Sequence, residues 1–237
     1  MTIQTYARII GVLLLLSMIA GGIGEGYVPS KMLASNDAEV TARTIITSNA
    51  LFRAGFASYL VEAVCDVALA LLFYVLLAPV QKYLALFTAF LGLISTALFG
   101  VAEFFYFAPT LLLRDAAYLK TFTPQQLHTL ALLSLKAYGC CGAIFMVFYG
   151  LASLLRGYLM FRSGYVPKLV GLVLALAGFS FIVRSLTYVL TPAYTSEVML
   201  LPMFLALVVM TVWFLAKGVD AGKWRDAGGS LAPSPAH

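Results

Sequence analysis

The chain has 237 residues, of which 62% are hydrophobic and only 11% are charged, whereas soluble domains have roughly 45–50% apolar and about 25% charged residues. So few polar side chains could not cover this much apolar surface, which excludes a soluble globular domain and an intrinsically disordered chain. The composition therefore predicts an integral membrane protein. The formal net charge of +5 comes from Lys and Arg residues dispersed between apolar runs, so it predicts no nucleic-acid partner.

Six apolar stretches are long enough to cross a hydrocarbon core of about 30 Å as helices. The sequence therefore predicts an all-α, polytopic membrane helix bundle with six transmembrane helices and short loops. Only Arg8 and no clear cleavage motif accompany the first stretch, so we expect a retained span rather than a signal peptide. The predicted transmembrane domain covers 1–225, and the polar tail 226–237 is predicted to be disordered. The predicted spans are 9–28, 51–80, 83–113, 129–155, 169–191 and 198–216.

Local signals define several helix ends and contacts. The run 36–41 predicts the start of a short surface helix in the longest loop. Thr123, Pro124 and Gln126 form an N-cap, a first-turn proline and a capping box, so span 4 begins before it enters the membrane. The segment 162–167 contains Gly and Pro and predicts a tight turn that makes spans 4 and 5 antiparallel neighbours.

Small residues in span 4 predict a close helix–helix contact. These residues are Gly139, Gly142, Ala143 and Gly150. We expect Gly139 and Gly142 to lie near the contact, so that Gly142→Leu would destabilise the protein.

The distribution of Lys and Arg predicts the orientation of the bundle. Eight basic residues are assigned to the side with both termini and five to the other side, which favours cytoplasmic termini in an inner-membrane protein. The first group is Arg8, Lys82, Arg156, Arg162, Lys168, Lys217, Lys223 and Arg225. The second group is Lys31, Arg43, Arg53, Arg114 and Lys120. Most acidic loop residues are assigned to the second side, namely Glu25, Asp37, Glu39, Asp115 and Glu197.

Five charged residues remain inside the predicted spans, and they are Glu62, Asp66, Glu103, Lys136 and Arg184. Charges in hydrocarbon are costly, so they normally face the bundle interior and pair with one another. At a rise of about 1.5 Å per residue, all except Asp66 fall in the outer half of the membrane. The sequence therefore predicts one outward-facing polar cluster as a candidate binding site, in which Lys136 and Arg184 supply the cations.

The carboxyl groups of span 2 are the centre of this predicted cluster. Glu62 and Asp66 are four residues apart and share a helix face with Tyr59. Two carboxylates this close would not both ionise without nearby cations, and three acids against two bases leave one carboxyl free to hold a proton. In the alternative structural interpretation, Lys136 and Arg184 snorkel to the surface and the acids fix helix packing.

The sequence contains none of the common catalytic or cofactor motifs. It has no G-x-S-x-G, H-E-x-x-H, P-loop or glycine-rich dinucleotide fingerprint. His128 is the only histidine near a predicted span, and one histidine cannot form a bis-histidine haem site or a three-histidine metal site. We therefore expect no metal and no cofactor.

The segment 157–171, GYLMFRSGYVPKLVG, resembles the signature segment of a bacterial membrane family called domain of unknown function 4386. The similarity extends back to 7–11, to 51–53 at the start of span 2, and forward to 177–178. It covers most of the chain, up to about residue 202. The resemblance implies a bacterial inner-membrane protein of about six helices, and it implies no particular activity or substrate.

Three classes of function remain open from the sequence. Short loops and the lack of catalytic motifs favour a non-enzymatic bundle that binds a small molecule or lipid, or that assembles with membrane lipids, a second copy or other membrane subunits. A small proton-linked carrier is one alternative. The other is a membrane-embedded lipid-modifying enzyme in which Glu62, Asp66 and Glu103 would be the acid/base groups.

Overall fold

The computed structural model describes residues 2–32 and 35–231 and is 85% helical, with no strand in that part of the chain. Six helices are long and apolar enough to cross a membrane, which confirms the predicted all-α bundle. We call them spans 1 to 6, and they are Ile3–Met32, Asn49–Leu77, Lys82–Leu112, Pro124–Ser163, Lys168–Leu190 and Glu197–Ala216. Residues 232–237 of the tail predicted to be disordered lie outside the described residues.

The spans form a closed ring in sequence order. Each span packs against the next, and span 6 returns to span 1. At this closure the Nη1 group of Arg8 donates a hydrogen bond to the carbonyl of Phe214 at 3.3 Å. Apolar side chains cover the outside of the ring, for example Val64 with 72% and Leu190 with 73% of their surface exposed. Such a large apolar exterior is suited to contact with lipid.

Spans 4 and 5 approach each other most closely through two pairs of glycines. A Cβ atom on Gly150 would lie 2.7 Å from the carbonyl oxygen of Gly178, and one on Gly157 would lie 2.5 Å from that of Gly171. On each span the two glycines are seven residues apart, which is about two helical turns. Because the helices are antiparallel, the same two faces therefore meet at both pairs. Small residues allow this close backbone approach, which is a common basis of helix packing in membranes. The connecting turn contains Gly164 in the left-handed conformation, with φ of 73°.

The prediction that Gly142 lies at a helix contact is wrong. A Cβ atom on Gly142 would meet no atom within 4 Å, and one on Gly139 would lie 3.5 Å from the hydroxyl of Tyr188. At about 100° per residue, Gly142 points about 80° away from Gly150 around the helix axis. Of the three glycines predicted in span 4, Gly150 is therefore the one that forms the close contact.

Span 4 is much longer than predicted. The capping box is present as expected, because Thr123 Oγ1 accepts from the Gln126 N–H at 3.3 Å and Gln126 Oε1 accepts from the Thr123 N–H at 2.8 Å. The helix then continues for 40 residues, about 60 Å, which is about twice the thickness of the hydrocarbon core. Its first part packs against the surface helix Ala38–Thr47, which begins at the N-cap Asp37 and confirms the helix predicted there.

A short C-terminal helix, Ala221–Asp226, closes the side of the bundle that carries both termini. Its Trp224 is 3% exposed and donates from Nε1 to the carbonyl of Leu76 at 3.1 Å. The hydroxyl of Tyr165, just after span 4, donates to the same carbonyl at 2.7 Å. These two bonds join the C-terminal helix and the turn between spans 4 and 5 to the end of span 2.

Candidate functional site

A distortion in span 1 brings an acidic residue into the bundle. The α-helix ends at Gly21 and continues as a π-helix, Gly22–Tyr27. Such wide turns are rare in proteins, and those that occur are frequently at functional sites. Within it Gly24 lies on the backbone of span 2, since a Cβ there would be 2.9 Å from the carbonyl oxygen of Gly55. The assignment of Glu25 to an outer loop is therefore wrong, because span 1 stays helical to Met32 and Glu25 faces span 2.

The carboxyl groups of Glu25 and Glu62 form a side-chain hydrogen bond with each other. An ionised carboxylate can only accept hydrogen bonds, so this contact requires a proton on one of the two groups. The second oxygen of Glu62, Oε2, is buried without a hydrogen-bond partner among the described residues. Gly21 provides the space for this pair, because a Cβ there would lie 3.0 Å from both carboxyl oxygens of Glu62. We call Glu25 and Glu62 the carboxyl pair.

Asp66 lies one helical turn beyond Glu62, and its electrostatic partner is Arg156. Asp66 also accepts a hydrogen bond from the Ser17 hydroxyl at 3.4 Å. A cavity of about 20 Å³ is lined by both charged residues and has room for about one water molecule. This Asp66–Arg156 arrangement was not expected from the sequence, which assigned Arg156 to a loop after span 4.

Arg156 is held by contacts from several spans. Its side chain is only 7% exposed and donates from Nη2 to the carbonyl of Thr88 at 3.2 Å. The guanidinium carbon lies 5.4 Å from the centre of the Phe73 ring, a cation–π distance. Gly92 leaves the necessary space, because a Cβ at that position would collide with Nη2. The helix thus continues past Arg156 because neighbouring spans accommodate the charge.

A central cavity of about 210 Å³ is lined by residues from all six spans. Glu25, Glu62 and Asp66 form its acidic part, and the remaining wall consists mainly of Phe, Met and Leu side chains. Phe204 of span 6 belongs to this wall and is also 60% exposed. In the acidic part of the wall, the π-helix of span 1 packs on span 2. At span 6 the cavity wall is therefore formed in part by a residue that is itself largely exposed.

Glu103 and Tyr59 stand behind the acidic part of the cavity wall. Glu103 is 3% exposed and is hydrogen-bonded to the side chain of Tyr138. Tyr59 is 6% exposed and packs edge-on against Phe99 with ring centres 4.8 Å apart. The structure therefore brings together four of the six residues predicted for the site: Glu62, Asp66, Glu103 and Tyr59.

The structure does not bring Lys136 or Arg184 to these carboxyl groups. Lys136 is exposed, and its ammonium donates to Asn36 Oδ1 at 2.5 Å. Arg184 forms a salt bridge of 2.8 Å with Glu197, whose side chain is 77% exposed. The predicted supply of cations by these two residues is therefore wrong, because polar groups outside the cluster are their partners.

The two charged residues that sequence reasoning assigned to loops had visible signals. Glu25 lies inside the predicted span 9–28 and is flanked by glycines, which permit close helix contact. Arg156 lies seven residues before Ser163, so at about 1.5 Å per residue it is about 10 Å from the end of span 4. Both positions are deep enough to require a partner in the bundle.

The fold and the site define a polytopic helical membrane protein with a partly acidic central cavity. The chain belongs to the family described as Domain of unknown function (DUF4386), whose model matches residues 9–218. This match includes most of each of the six spans and confirms the resemblance found in the sequence. No curated protein and no solved structure matches the chain.

Proposed function

We propose that the chain is a bacterial inner-membrane protein that binds a small molecule or lipid in its central cavity without transforming it. The observation that carries this proposal is a buried, unpartnered acceptor, Glu62 Oε2, on the wall of a cavity of about 210 Å³. Buried polar atoms normally have hydrogen-bond partners, so an orphaned acceptor beside empty space is suited to a ligand. A cavity of about 150 Å³ is enough for benzene, and this one is larger.

Binding fits the carboxyl groups better than acid/base catalysis does. Asp66 is engaged by Ser17 and by the charge of Arg156, and Glu103 is engaged by Tyr138. General acids and bases must be free to exchange a proton with the reacting group. Two of the three residues predicted as acid/base groups, Asp66 and Glu103, do not meet this condition, which favours binding.

Filling the cavity is expected to abolish ligand binding. Leu207 lines the cavity, whereas Leu205 on the same span is 56% exposed toward the outside. In native mass spectrometry of the full chain from membranes, we expect the wild type and Leu205→Trp to retain a bound small molecule or lipid. Leu207→Trp should retain at least about tenfold less, equivalent to about 1.4 kcal/mol. A wild type without any bound mass, or equal retention by both variants, would contradict the proposed function.

Both termini are expected to lie in the cytoplasm. Even without Arg156, which is buried inside span 4, the side with the termini has more basic residues than the other side. Reporter fusions after Gln81 and at the C-terminus should therefore report the cytoplasm. A fusion after Lys120 should report the periplasm, and the reverse pattern would refute this orientation.

A further inference from the structure

We propose that the ligand of the central cavity is an organic ammonium cation with an apolar body, which binds in exchange for the proton of the carboxyl pair. This inference rests on the proposed function, because it names the ligand class and the regulation of the same cavity. It is carried by the cavity wall, the contact between Glu25 and Glu62, and the orphaned oxygen of Glu62.

The charges around the cavity favour a positively charged ligand. Span 1 contributes Glu25, span 2 contributes Glu62 and Asp66, and the wall residues of spans 5 and 6 are all apolar. Span 4 contributes Tyr149 to the wall. Of these acids, only Asp66 has a buried cation as its partner. With one shared proton, the two carboxyl groups of the carboxyl pair together carry one negative charge.

The other charged groups near the site are already engaged. Glu103 of span 3 is bonded to Tyr138 of span 4. Arg184 of span 5 is bound to Glu197 at the start of span 6. Arg156 of span 4 lies about 93% buried beside Asp66, and its Nε has no hydrogen-bond partner among the described residues. The carboxyl pair is the part of the site left for a cation.

Hydrogen-bond capacity distinguishes an ammonium from a proton at this position. Glu62 Oε2 has no hydrogen-bond donor among the described residues, although Glu25 lies within hydrogen-bonding reach of the Glu62 carboxyl group. A primary ammonium carries three donors, as the lysine side chain does. It can therefore bond to Glu25 and to both oxygens of Glu62 at once, which satisfies the orphaned acceptor.

The remainder of the wall favours an organic cation over a metal ion. Phe99 and Phe145 stack with ring centres 4.5 Å apart, and Tyr149 and Phe181 lie beside them on the wall. Aromatic faces attract organic cations, whereas Na⁺, Mg²⁺ and Ca²⁺ require shells of oxygen ligands. Because Phe204 both lines the cavity and is 60% exposed, the entry route that we infer for an apolar body runs from the membrane past this side chain.

The exchange conserves charge. The O–H bond of the carboxyl pair breaks, its proton passes to water, and the N–H groups of the ammonium take its place as donors. One positive charge leaves as one enters, so the buried charge of the site does not change. By linkage, release of one proton per ligand makes the Kd fall about tenfold for each unit of rising pH while the pair holds its proton.

Calorimetric titration of the purified full chain with phenethylamine tests this exchange. Measured between about pH 6 and 8 in two buffers of different ionisation enthalpy, binding should release one proton and tighten about tenfold per pH unit. Phenylethanol, which has the same body without the charge, should bind at least about tenfold more weakly. An equal concentration of NaCl or KCl should have the same effect on phenethylamine binding.

Substitutions separate the exchange from simple binding. In Glu25→Gln the amide can donate to Glu62 without a shared proton, so proton release should disappear and affinity should lose its pH dependence. Glu39→Gln is the matched control, because Glu39 is exposed in the surface helix and paired with Arg43. It should leave proton release unchanged. Should Glu25→Gln not fold, proton release by the wild type alone still decides the question.

Each contrary result overturns a defined part of the proposal. Binding of phenethylamine without proton release overturns the exchange, and equal binding of phenylethanol overturns the requirement for a cation. Selective competition by NaCl overturns the organic ligand in favour of an inorganic ion. If neither compound binds, the ligand class is wrong, while a bound mass that Leu207→Trp abolishes would still support the proposed function.

Discussion

Arg156→Met is expected to lower the free energy of unfolding by about 1.5–3 kcal/mol, because it removes the charged hydrogen bond to the carbonyl of Thr88 and a positive charge that acts on Asp66. Arg156 is only 7% exposed, so bulk solvent does not compensate for the lost interaction. The effect can be measured by denaturant unfolding of the purified protein. Lys136→Met is the matched control, since Lys136 is exposed on the same span. This substitution should lower the free energy of unfolding by no more than about 0.5 kcal/mol.

The double variant Asp66→Asn with Arg156→Met tests whether the two charges interact. It removes both charges, so we expect it to recover part of the stability lost in Arg156→Met. Strictly additive losses would show that Arg156 stabilises the bundle through Thr88 and Phe73 rather than through Asp66. An effect of Lys136→Met as large as that of Arg156→Met would contradict the site described here.

Gly157→Leu should prevent spans 4 and 5 from packing. A side chain at this position collides with the backbone of Gly171 and Ala175, which cannot rotate away as a side chain can. We expect the free energy of unfolding to fall by at least about 3 kcal/mol, which is the upper end of the usual cost of overpacking. The change should be seen as a lower Tm or as loss of folded protein. Gly142→Leu on the same span should leave the Tm unchanged, because Gly142 faces open space. Equal effects of the two substitutions would refute this packing.

Much of the fold could be predicted because its signals are local. An apolar run of sufficient length defines a span wherever it lies, and the capping box at Thr123 depends only on residues three apart. The end of span 4 could not be predicted in this way. Arg156 interrupts the apolar run, and only Thr88, Phe73 and Gly92 from other spans make its burial acceptable.

The candidate site could likewise be predicted only where its signals are local. Glu62, Asp66 and Tyr59 could be placed on one face from their spacing on a single helix. Their partners could not, because depth in the membrane is readable from sequence while rotation about the helix axis is set by packing. Lys136 was predicted from depth alone, yet it points outward to Asn36.

The ring of spans is complete only when span 6 meets span 1, whose contact between Arg8 and Phe214 joins residues 206 positions apart. At a synthesis rate of about 5–20 residues per second, span 1 waits roughly 10–40 s for this partner. Until then Glu25 and Glu62 line an open wall that faces lipid, where carboxyl groups are costly. A truncated chain without its last span would stay in that state, with the carboxyl groups that the finished protein encloses still turned toward lipid.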